Sequence, residues 1–93
     1  MNDKRHDKIS GRPIRLVDAS RDGVLRIVEI QGGEGVRRRL FSLGFHKGVL
    51  VRLESEAILR GPLLVRNVTA DCRVALGRGV AQKILVEAVR DAA

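Results

Sequence analysis

The side chains in this sequence best equipped for chemistry are His6, His46 and Cys72, with Asp71 next to the thiol. A structural zinc site draws four ligands, usually from CxxC or HxxxH pairs, and neither spacing occurs. His6 falls in a charged N-terminal stretch, so no metal site is expected. There is no P-loop, no nucleophile elbow, and no carboxylate pair beside a histidine. Cys72 opens an apolar run, Arg73–Leu76, and reads as a half-buried thiol behaving as a small hydrophobe. The GGEG turn at residues 32–35 lies between a strand and a helix, where a phosphate loop would lie, but lacks the Lys-Ser/Thr of one. The expectation is a non-enzymatic protein with no cofactor.

The segment with the most information is RRRLFSLGFHKG, Arg37 to Gly48. At 100° per residue, Phe41 falls about 140° from Val36, well off the apolar stripe of Val36, Leu40 and Leu43. Arg37 and Arg38 flank that outer side, and His46 and Lys47 follow in the next turn. Aromatic residues and arginine are enriched at interface anchors. Arg37, Arg38, Phe41, His46 and Lys47 are therefore the candidate partner-binding residues. The alternative for Phe41 is a place under a neighbouring loop.

The elements that would position these residues are short. Val24–Ile30 is rich in β-branched residues and ends at Gly32-Gly33, which predicts a strand. A helix is predicted over about Glu34 to Leu43, with Val36, Leu40 and Leu43 inward at i, i+4, i+7. Glu34 suits its N-terminus, and Gly44 suits a left-handed C-terminal cap. Val49–Glu54 alternates, with Val49, Val51 and Leu53 on one face. Leu63–Val68 and Arg73–Leu76 read as further strands. Gly77 and Gly79 then break the run, with Val80 and Ala81 in a tight turn or single helical turn before a last strand, Lys83–Ala88, with Ile84 and Val86 inward. Residues 1–13 carry few apolar groups and no periodicity and read as a flexible basic tail, leaving a domain over residues 14–90. About five short strands with one short helix make this an all-β chain, a closed or partly closed barrel.

Composition narrows the function. With 93 residues, 44% of them hydrophobic, the chain has room for one core and little spare stability for a strained active site. No apolar run approaches the roughly 20 residues of a membrane span, so no membrane insertion is expected. The charged N-terminus lacks the apolar region of a signal peptide, and the single cysteine cannot form an internal disulfide; both suggest a cytoplasmic protein. The net charge is +7. Lys4, Arg5, Lys8 and Arg12 against Asp3 and Asp7 account for only part of it, so the folded part is basic too. Such a balance raises nucleic acid, acidic lipid or an acidic protein face as partners. Single-strand binders add aromatic stacking platforms. Here there is no Trp or Tyr, and the basic residues are scattered, which argues against nucleic acid. The same shortage of aromatics rules out a proline-peptide groove.

The order of elements resembles the FeoA family, small proteins associated with the bacterial ferrous iron transporter FeoB. The residues that carry the resemblance are Arg39, Leu40, Leu43, Gly44, Phe45 and Gly48 in the helix and turn. Gly61, Pro62 and Val65 match the central strand, and Ala75, Leu76, Ala81, Ile84 and Val86 the C-terminal part. It spans about Leu16 to Glu87. The chain departs from the pattern at Cys72, where family members commonly carry an aromatic, and in its longer, more basic N-terminus. The resemblance implies an SH3-like barrel acting as an accessory or regulator of iron transport. Its partner would be the cytoplasmic GTPase part of a FeoB-type membrane transporter. The C-terminal domain of DtxR-type metal-dependent repressors resembles the same barrel, but no helix-turn-helix pattern precedes it in this sequence. The rival readings are a nucleic-acid-binding barrel and a metal-responsive module using Cys72 or His46 across a subunit interface. Exposed strand edges leave pairing between copies open.

Overall fold

Alternating apolar residues along short β-branched segments give strands with one face to bury, and among the described residues only one helix of more than a turn is there to cover it. The computed structural model describes residues 9–55 and 61–89. The strands are β1 (Ile9–Arg15), β2 (Leu25–Ile30), β3 (Leu50–Ser55), β4 (Leu63–Asn67), β5 (Cys72–Leu76) and β6 (Ile84–Val89). The helix α1 covers Glu34–Ser42, a single turn α2 covers Arg78–Ala81, and a 3-10 turn at Leu16–Asp18 follows β1. All pairings are antiparallel, in the order β1-β6-β2-β3-β4-β5.

A six-stranded sheet with one apolar face cannot be covered by a nine-residue helix, so the face must close on itself. Register shifts between Ser10 and Ile14, between Ile27 and Glu29, and between Leu53 and Ser55 break the ladders at three places. Such irregularities increase local twist and bend. One buried cluster results, to which every strand from β2 to β6 contributes, including Ile27, Val51, Leu53, Val65, Leu76, Ile84 and Val86. Leu16 seals one end from the 3-10 turn and Ala81 enters from α2. The largest fully buried side chain is Phe45.

The structure differs from the sequence reading at three points. Among the described residues there is one strand beyond the five expected: β1 pairs with β6 and includes residues 9–13, which read as tail, while residues 1–8 lie outside the described residues. Its mixed composition, ISGRPIR, has no alternation to betray it; its pairing with β6 is tertiary. Leu43, expected inward, is 41% exposed. The helix stops at Ser42, and Leu43 leaves helical geometry at φ −93°, ψ 1°, which turns it off the stripe. Cys72, expected half-buried, is exposed at the start of β5. It is the first residue of β5, the last strand in the sheet order, next to the β4–β5 turn.

The outer face of the sheet carries a row of like charges. Register places Arg52 on β3 opposite Arg66 on β4, and Arg66 opposite Arg73 on β5. Like charges directly opposite are destabilising. Glu54 offsets this by accepting from Arg73 Nε at 2.6 Å while lying 3.7 Å from Arg66, which also pairs with Asp71. Glu54→Ala is expected to cost about 0.5–1 kcal/mol. Urea unfolding measures the loss, which should shrink in high salt as the arginines are screened.

Candidate functional site

The site begins with the way α1 ends. Gly44 takes φ +92°, its amide donates to Phe41 O at 2.9 Å, and the Phe45 amide donates to Leu40 O at 2.8 Å. These two bonds make a Schellman cap, in which the residue after the left-handed glycine folds back towards the last helical turn. Leu40 and Phe45 are thereby sent into the same buried cluster. Phe41, one residue after Leu40, is sent out and is 63% exposed.

The following turn is tied to β2. The Gly48 amide donates to Ile27 O at 2.7 Å, and the Ile27 amide donates to Val49 O at 3.0 Å. This sets His46 and Lys47 beside the helix. The His46 ring lies 5.1 Å from that of Phe41, centroid to centroid, tilted by 46°. His46 Nδ1 is 3.1 Å from the carbonyl of Lys47, which can only accept, so Nδ1 carries the proton of that bond.

The arginines are oriented from the other end of the helix. Arg37 donates to the carbonyl of Gly32 at 3.0 Å, and Arg38 lies 3.6 Å from Glu34 one turn earlier. Arg37, Arg38, Phe41, His46 and Lys47 all line one groove of about 710 Å³, together with Glu29, Ile30 and Glu34. The structure thus brings all five candidate residues to a single surface. Sequence reasoning missed Glu29 and Ile30. Strict alternation from Leu25 and Ile27 would set Glu29 inward; the register shift between Ile27 and Glu29 turns it outward and Ile30 inward, and the return of the chain through residues 46–48 brings that end of the strand to the helix.

Chemically the groove offers an aromatic face, guanidinium and ammonium donors, and two carboxylates. It holds no nucleophile paired with a base. Among the described residues no three His, Cys, Asp or Glu side chains cluster as metal ligands. No helix among them is long and apolar enough to cross a membrane.

The family model described as the FeoA domain matches residues 14–88. This chain belongs to the FeoA family. Members of the family are small proteins associated with ferrous iron transport. Among solved structures, an iron uptake regulatory protein (FeoA) is 25% identical with a TM-score of 0.71, over 82% of this chain and 97% of that one. A FeoA-like protein from Clostridium acetobutylicum is 22% identical with a TM-score of 0.73, over 88% of this chain and 93% of that one. A manganese-dependent transcriptional repressor shares the fold at 19% identity and a TM-score of 0.74; the match covers 85% of this chain but 43% of that protein. Comparison with curated proteins returned no match. The fold is the SH3-like barrel that the FeoA resemblance implied.

Proposed function

We propose that this FeoA-family chain is a non-enzymatic accessory of ferrous iron transport, acting in the cytoplasm by contact with the GTPase-bearing part of a FeoB-type transporter. The observation that carries the reading is the outward Phe41, in tilted contact with the His46 ring and flanked by Arg37 and Arg38 in one groove. A largely exposed aromatic costs free energy in water, and one ringed by polar groups has the composition of an interface anchor. Arg37, Arg38 and Lys47 would meet carboxylates on the partner, and Phe41 would fill an apolar pocket.

The test is binding to the purified FeoB-type transporter in lipid nanodiscs. Phe41→Ala is expected to weaken binding about 30-fold or more, the range of a central anchor. Charge reversal at Arg37 and Arg38 together should do the same and slow association. Neither change touches the buried cluster, so both proteins should melt close to the parent. Unchanged affinity in both folded variants would refute the assignment of this groove.

A further inference from the structure

A second cleft, beyond the end of β2 from the first, collects positive charge. Arg15 comes from the end of β1, Arg78 from α2, and Lys83 from the turn before β6. They line a space of about 590 Å³ together with Gln31 and Gln82, and Asp18 is the one acidic residue on its wall. Among the described residues, none of these three cations appears in an ion pair with a carboxylate. Three cations brought together from separate elements repel one another, and one carboxylate cannot neutralise them.

The walls are braced by backbone. The Gln31 amide donates to Lys83 O at 2.7 Å, the Lys83 amide to Val80 O at 2.9 Å, and the Gln82 amide to Arg78 O at 2.9 Å. The Lys83 stem crosses Gly32 so closely that a Cβ at position 32 would lie 3.0 Å from its Cδ. Gly32 also takes φ +100°, a conformation side-chain-bearing residues rarely adopt. The lysine is therefore directed by its packing, and Arg78 and Lys83 are both half-buried.

We infer that this cleft binds a phosphate-bearing anion through Arg15, Arg78 and Lys83, with Gln31 and Gln82 as neutral donors. A single carboxylate would leave most of the charge unmatched. A phosphate group carries more than one negative charge and several acceptor oxygens, which suits guanidinium forks and an ammonium. The phosphate can come from a soluble molecule or from a lipid headgroup. This cleft shares no lining residue with the Phe41 groove, which it adjoins where Arg37 reaches the carbonyl of Gly32, and the inference does not depend on the proposed partner.

Calorimetric titration of the full chain with pyrophosphate at low ionic strength tests it, alongside flotation with vesicles containing phosphatidylglycerol. Arg78→Gln and Lys83→Gln are each expected to weaken binding about tenfold or more, the worth of a charge-assisted hydrogen bond. Arg52→Gln, on β3, removes the same charge away from the cleft and should leave binding near the parent value. Pyrophosphate binding lost in the cleft variants supports a soluble ligand, and vesicle binding lost in the same variants supports a headgroup. Two results would overturn the inference: no binding of either probe by the parent, or equal weakening by Arg52→Gln, which would reduce it to overall charge.

Discussion

Phe45→Ala is expected to destabilise the domain by about 3–5 kcal/mol, the usual cost of emptying a buried aromatic site. Phe45 is 0% exposed and is the largest side chain in the fully buried set. The cavity would open between the end of α1 and the sheet, where the Schellman bonds and the turn to β2 hold the backbone and limit collapse. Domains of this size have about 5–15 kcal/mol in total. The variant should therefore melt well over about 10 °C lower, and a fraction of it should be unfolded at ordinary temperature. Urea titration followed by circular dichroism measures the loss directly. Phe41→Ala is the matched comparison: the same deletion four residues earlier, on an exposed side chain, should change the melt little. Equal effects from the two would contradict the division of this segment into an inward and an outward aromatic.

The second large effect is expected at Asn67, the one buried polar side chain among the described residues, at 1% exposure. Its Nδ2 donates to the carbonyl of Gly44 at 2.8 Å, and its Oδ1 accepts from the amide of Ala70 at 2.9 Å. Asn67 thus ties the helix cap to the β4–β5 turn, where its own carbonyl accepts from the amide of Asp71 at 2.7 Å. Asn67→Ala removes a partner from both groups and is expected to cost about 1–3 kcal/mol. Gly44→Ala attacks the same joint from the other side. It forces a Cβ onto φ +92° and places it 3.0 Å from Asn67 Nδ2, with an expected cost of about 1–3 kcal/mol. Because both changes break one contact, the double variant should lose less than the sum, which a double-mutant cycle by denaturant unfolding would read. Strict additivity would mean that the cap and the turn are independent.

These two positions matter for function through geometry. Leu40, Phe45 and the Gly44–Asn67 bond set the helix end, and the helix end sets where Phe41 and His46 stand. Loosening Asn67 should therefore also weaken any binding that uses Phe41, without removing a single groove residue.

Much of this fold is legible in the order of residue types. Alternation over Val49, Val51 and Leu53, and again over Ile84 and Val86, points inward wherever the strand sits in a sheet, because successive side chains must take opposite faces. The i, i+4 spacing of Val36 and Leu40 before Gly44 marks a short amphipathic helix and its stop. The outward direction of Phe41 follows from the same rotation. These are local consequences of backbone period and of glycine's freedom at positive φ, so they need no knowledge of the rest of the chain.

Other features depend on contacts distant in sequence. β1 has no pattern of its own and exists because β6 offers it an edge. Leu43 belongs to the helical stripe by spacing, but the cap ends the helix one residue short and gives Phe45 the inward place. Cys72 begins an apolar run, yet as the first residue of the strand at the edge of the sheet it is left in solvent. The sequence by itself determined which strand faces are apolar, that a short helix precedes Gly44 and that Phe41 lies off its apolar stripe, since each is set within a few residues. Only the tertiary structure decided that Arg37, Arg38, Phe41, His46 and Lys47 share one groove with Glu29. It alone also decided that Arg15, Arg78 and Lys83 meet in another. Both depend on how a sheet with one apolar face closes on itself, and that closure is a property of all six strands together.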